Sequence, residues 1–149
     1  EYVISDEDTG VMKIYENVKN PINNTKKEGL SADNYYYYNF GSLGYVAHGV
    51  EMSDMTGEIK YNEKFIFDND QLNGLIKNGT ETREHEYFDE FFIYQNNECS
   101  VIVKDGSIDS NKNLKYNESI LYNRGEVIGA TIGDDTYEVN SKGQLEKVN

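Results

Sequence analysis

The chain has 149 residues, with 14 Lys and Arg against 27 Asp and Glu, and so carries a net charge of −13 near neutral pH. A surface this acidic repels phosphate, which sets aside a nucleic-acid binder working by counterion release and a protein drawn to an anionic membrane surface. A single cysteine allows neither an internal disulfide nor a multi-cysteine zinc site.

The length suits a single domain spanning 1–149, able to bury roughly two-thirds of its unfolded surface. Mean hydropathy is low, −0.76, yet the chain holds 13 Tyr and 6 Phe with no Trp. Disordered chains are poor in aromatic and β-branched residues, and here both come in short clusters, so a folded chain with a thin or elongated core is expected. No run approaches the roughly 20 apolar residues of a membrane span, which argues against membrane insertion. The opening EYVISDEDTG lacks the basic and apolar segments of a signal peptide and has no initiator Met, as expected of a mature or excised chain.

Taken in order, YVISDEDTGVMKIYE reads as a strand, a turn ending at Gly10 and a second strand. Residues 17–34, with the only proline, Pro21, and many turn formers, read as a long loop. The run Tyr35-Tyr36-Tyr37-Tyr38 follows; on a strand, Tyr36 and Tyr38 share one side and Tyr35 and Tyr37 the other. Polar stretches at 78–86 and 105–113 separate later strands. Between them Tyr87, Phe88, Phe91 and Phe92 recur at helical spacing, although a strand or loop is the favoured assignment.

The segments form a repeat. FIFDNDQLNGLIKNG begins at Phe65, FIYQNNECSVIVKDG at Phe92 and ILYNRGEVIGATIGD at Ile120, offsets of 27 and 28 residues. Each opens apolar–x–aromatic, passes a polar turn at Asp68, Gln95 or Asn123, and resumes with Leu72, Cys99 or Val127. The segment from Tyr36 fits with one residue deleted before Gly44, that from Tyr137 with one inserted before Leu145, and the N-terminal segment is a poorer sixth copy. The unit is a β-hairpin, which is marginal alone and must stack or pair to bury its aromatic side. The fold class expected is therefore all-β: irregular antiparallel β-hairpin repeats, about six of them, forming a solenoid-like or elongated sheet.

This unit, aromatic–x–aromatic–Asp/Asn followed by Gly and Leu or Met and then a hydrophobic strand, resembles the cell-wall-binding repeats of Gram-positive surface proteins, of the choline- and glucan-binding type. The closest stretches are 56–79 and 129–148. The resemblance implies a noncatalytic attachment module, extracellular or at the cell surface, that recognises a cell-wall polymer or carbohydrate with aromatic side chains. Tyr36, Tyr38, Tyr45, Phe67, Tyr94 and Tyr122 are the ligand-binding candidates. At the Gly-Trp positions of that family stand Gly44-Tyr45, Gly74-Leu75, Val101-Ile102 and Gly129-Ala130, of which only Tyr45 keeps an aromatic.

Other residues offer little chemistry. His85 lies among Glu84, Glu86, Asp89 and Glu90 without the second His of a zinc helix, and His48 reads as a turn residue at a hairpin exit. Asp6-Glu7-Asp8, Asp68-Asn69-Asp70, Asp105 and Asp109 lack the full calcium-loop pattern. Cys99 shares its repeat position with Leu72 and Val127, which suits a buried, inert thiol. No catalytic residue, metal ligand or cofactor is assigned. An alternative is a small acidic interaction domain, of inhibitor or immunity type, whose charge steers it to a basic protein partner.

Overall fold

The structure, a computed structural model, describes residues 2–19, 30–53 and 57–149. These form β1 (Tyr2–Asp6), β2 (Val11–Val18), β3 (Leu30–Asn39), β4 (Ser42–Met52), β5 (Ile59–Asp68), β6 (Gln71–Glu81), β7 (His85–Gln95), β8 (Glu98–Asp109), β9 (Leu114–Lys115), β10 (Glu118–Asn123), β11 (Glu126–Ile132), β12 (Asp135–Val139) and β13 (Leu145–Lys147). The fold is all-β. Each strand pairs antiparallel with the next in one open sheet, except that β8 carries both the short β9 and β10. The sheet thus takes the elongated form. Of the expected loop at 17–34, residues 20–29 lie outside the described residues; β2 runs to Val18 and β3 starts at Leu30, so strands reach into both ends of it.

Turn chemistry sets the register. Two-residue hairpin turns of type I′ need positive φ at both central positions, and Phe40-Gly41, Asn69-Asp70, Asn96-Asn97 and Arg124-Gly125 all supply it. On each returning strand one extra residue follows the turn: Gly44, Asn73, Ser100 and Ile128 bulge out of register. Turns and bulges recur every 27 to 29 residues. This corrects the sequence alignment at one point. No deletion is needed before Gly44; Gly44 occupies the bulge, and Tyr45 stands where Gly74, Val101 and Gly129 stand.

A second recurring feature lies halfway along the long strands. Gly49, Asn78 and Asp105 within their strands, and Asn17 next to the end of β2, have left-handed backbone, with φ of 65°, 52°, 54° and 54°. The neighbouring strands place Asp33, Asn62 and Asp89 beside them, so a row of Asn, Asp and Gly crosses the sheet. Strict alternation slips by one at this crease. Residues three apart face the same interior: Tyr35 with Ala32, Ala47 with Val50, Lys64 with Tyr61, and Phe91 with Phe88. The helical spacing of Tyr87, Phe88, Phe91 and Phe92 is this slip, and the segment is the strand β7.

Side chains from both sides of the crease share one core, and Lys64 on one side reaches Glu81 and Glu86 on the other. The outer arms of the strands thus bend back over one face of the sheet. Tyr15, Tyr35, Ala47, Ile76 and Val103 on the near side pack in one cluster with Leu30, Ala32, Val50, Tyr61 and Phe88 on the far side. Phe88 meets Phe91 edge-on at 5.5 Å across the fold. The Tyr61 ring lies flat over Gly79, where a Cβ would sit 2.3 Å from it. Strands β10 to β13 have no folded-back arm, and the same face there is polar: Ser119 Oγ and Thr131 Oγ1 share a hydrogen bond of 2.7 Å. The molecule stays open, exposing 9845 Å² where a compact chain of this mass exposes roughly 7,800 Å².

The crease is testable through Asn78. A left-handed residue with a β-branched side chain costs about 1–2 kcal/mol, so Asn78→Val lowers unfolding free energy by that amount in urea titration, whereas Asn78→Gly leaves it unchanged or slightly raised.

Candidate binding face

The folded-in face is the inner face; its opposite, the outer face, is not covered by any described element. Two cross-strand ladders run along it. One joins Ile14, Tyr36, Val46, Phe65, Leu75, Phe92, Ile102 and Ile120. The other, nearer the turns, joins Met12, Tyr38 and Leu43, then Phe67 and Leu72, Tyr94 and Cys99, Tyr122 and Val127. Side chains on one sheet face recur at every second residue, so β3, β5 and β7 each present an aromatic pair (Tyr36 with Tyr38, Phe65 with Phe67, Phe92 with Tyr94), and β10 presents Ile120 with Tyr122. All of these are half-buried by lateral contact alone, Val127 being more exposed.

The hairpin turns and a polar row border the ladders. On the turn side the hairpin turns end the ladders; Asn39, Asp68, Gln95 and Asn123, each one residue beyond an outward aromatic, alternate onto the opposite face. On the crease side Glu63, Lys77, Glu90, Lys104 and Glu118 oppose one another in alternating charge. Lys77 Nζ sits 5.3 Å from the centre of the Phe92 ring, and His48 packs edge-on against Phe65. His48 is therefore a mid-strand residue, not a turn residue; its Nδ1 lies 2.7 Å from Asn34 Oδ1. A hydrogen bond to Glu16 raises the Tyr36 phenol above its ordinary pKa.

Between β7–β8 and β10–β11 the face dips into a recess of about 490 Å³ lined by Phe92, Tyr94, Cys99, Ile102 and Tyr122, with Glu98 and Arg124 at its mouth. Desolvation raises the pKa of both Tyr94 and Cys99. Cys99 does share its ladder position with Leu72 and Val127, but it lines an outward recess and is only half-buried.

Five of the six ligand-binding candidates, Tyr36, Tyr38, Phe67, Tyr94 and Tyr122, thus share one face. Tyr45 does not. The bulge at Gly44 turns it inward, where it stacks on Tyr37 at 4.9 Å and meets Tyr35 edge-on at 5.7 Å. Phe65 and Phe92 stand on the outer face beside those five candidates, and their apolar–x–aromatic spacing marks them in the sequence.

Tyr45 belongs to a polar cluster in the inner core. Lys64 is buried, with Nζ 2.7 Å from Glu86 Oε2, 3.8 Å from Glu81 Oε2 and 4.2 Å from the centre of the Tyr45 ring. Tyr61 donates its hydroxyl to the same Glu86 oxygen. Burial, reinforced by Glu81, drives the Tyr45 phenol far above its ordinary range; burial and then Glu86 do the same to Tyr61. Burial also lifts the Glu81 carboxyl against the opposing pull of Lys64. The cluster ties the folded-back arms to the sheet. Among the described residues, no group of three or more His, Cys, Asp and Glu could hold a metal ion.

Comparison with known proteins finds no matching family model, curated protein or solved structure. The class defined by the fold and the face is an open antiparallel sheet of hairpin repeats, creased over its own core, with an aromatic outer face.

Two outcomes test the cluster. Glu86→Gln leaves Lys64 without its close partner and costs about 3 kcal/mol of unfolding free energy at pH 7. Glu81 has a raised folded pKa, so the folded state holds its proton more tightly, and this contribution is present at low pH and lost as pH rises through that pKa. Urea titrations of Glu81→Gln across that range show a flatter pH dependence than those of the parent chain.

Proposed function

We propose that this chain is a noncatalytic binding module that holds a carbohydrate polymer on its outer face, as an attachment module does on wall polymer at a Gram-positive cell surface. One observation carries the reading: aromatic residues stand on a single open face at every second strand, from β3 through β10. Flat rings offer stacking surface to the C–H faces of sugars, and Tyr hydroxyls add hydrogen bonds. Glu63, Lys77, Glu90 and Lys104 along the crease border of the same face supply donors and acceptors beside that platform. Repetition also supports a polymer, since each added contact along one ligand acts at high effective concentration.

A protein partner is the second reading, favoured by the aliphatic residues between the aromatic pairs, Leu43, Leu72, Leu75 and Ile102. Such side chains suit the dry centre of a protein interface, and a chain of net charge −13 would draw a basic partner.

Retention on purified cell-wall polysaccharide tests the first reading. Tyr94→Ala combined with Tyr122→Ala lowers retention by about tenfold or more, a loss of ~1.4 kcal/mol. Tyr87→Ala, at an exposed ring on the far side of the crease, leaves it unchanged. Circular dichroism confirms that both variants are folded. Equal retention of the double variant defeats the reading, and capture of basic proteins alone favours the second.

A further inference from the structure

We infer that the ligand is a single, uncharged glycan chain lying across the strands, one disaccharide to each hairpin, anchored in the recess at Phe92, Tyr94 and Tyr122. The inference rests on the carbohydrate reading above and adds the chain's direction, charge and register.

The direction follows from the ladders. Aromatic pairs recur on alternate strands, and neighbouring strands lie 4.7–4.9 Å apart, so successive pairs are about 9.6 Å apart. That is close to the length of one disaccharide in an extended β-1,4-linked chain. Along each strand the apolar band is only two inward-outward repeats deep, about 7 Å between rows, which is the breadth of one pyranose ring. The Glu and Lys row on the crease side and the hairpin turns on the other close it, so the band accommodates one chain rather than a layer of chains.

Twist separates a free chain from a solid surface. Adjacent strands rotate by about 20–25°, so successive aromatic pairs turn by roughly 45°. An isolated chain follows that turn through its glycosidic torsions. A flat crystalline face meets one pair and misses the next.

Charge decides the rest. The crease border of the band carries Glu16, Glu63, Glu90 and Glu118 against Lys77 and Lys104, so it stays net acidic in a chain of net charge −13 that repels a polyanion. A neutral glycan meets no such repulsion. The recess of about 490 Å³ has room for a pyranose ring against Tyr94 and Tyr122, with Arg124 and Glu98 placed at its mouth for hydroxyl groups.

Isothermal titration with cello- and chito-oligosaccharides of two to eight sugars tests this, alongside crystalline cellulose, crystalline chitin and polygalacturonate. The expected result is an affinity that rises severalfold with each added disaccharide up to about eight sugars, with little retention on the crystalline solids. Tyr94→Ala weakens even the shortest binding ligand about tenfold, whereas Tyr38→Ala affects the longest chains only. An affinity that levels off at two sugars, equal retention on crystalline solids, or a preference for polygalacturonate overturns the inference while leaving carbohydrate binding intact. If none of these glycans binds, and wall polysaccharide is not retained either, both fall together. A concentration-dependent dimer abolished by Tyr94→Ala overturns it as well, since the face would then be covered by a second copy.

Discussion

A single sheet has two faces and no interior, so an extended meander of hairpins has nowhere to bury its side chains unless it bends. The crease at Asn17, Gly49, Asn78 and Asp105 is that bend. Left-handed backbone at matched positions on alternate strands lets the arms turn together, and the arms then cover the aromatic and aliphatic residues beneath them. Asn, Asp and Gly are the residues that tolerate such backbone. Everything else in the architecture depends on this row, because without it Tyr15, Tyr35, Ile76 and Val103 would face water.

Folding one face inward leaves the other face free. The bulge after each turn makes the division sharp: Leu43 and Tyr45, two residues apart, would share a side of an unbroken strand, yet Gly44 between them sends Leu43 outward and Tyr45 inward. The inward set then tolerates polar groups only where they satisfy one another. Lys64 is held by Glu86 and Glu81 under the Tyr45 and Tyr61 rings, and the described residues leave no buried side-chain polar atom unpaired. The outward set meets no described element and instead keeps its aromatic pairs in register from hairpin to hairpin. The packed core and the open aromatic face therefore lie on opposite sides of the same strands.

Where the folded-back arms stop, the inner face changes character. Beyond β9 the strands carry Ser119, Thr131 and Thr136 on the side that β3 to β8 fill with Tyr, Ile and Phe. Composition along the chain thus follows which strands have a cover. The same division explains why a chain with low mean hydropathy folds: one face of seven strands, β2 to β8, supplies most of the core.

The sequence by itself determined the hairpins, their 27- to 28-residue repeat and the all-β class, because turn residues and alternating apolar positions act locally. Five of the candidate binding residues were also legible as a set, since Tyr38, Phe67, Tyr94 and Tyr122 hold one place in the repeat and Tyr36 the place two residues before it. Only the tertiary structure decided which side each aromatic faces. Alternation fixes relative sides along an unbroken strand, but a bulge or a crease reverses them, and neither Gly44 nor Asp89, which lies opposite the left-handed Asp105, announces the reversal in sequence. That is why Tyr45 moved from the expected ligand site to the core, and why the spacing of Phe88 and Phe91 imitated a helix. Which face closes and which stays open is settled by how distant strands bend together, a property no single segment carries.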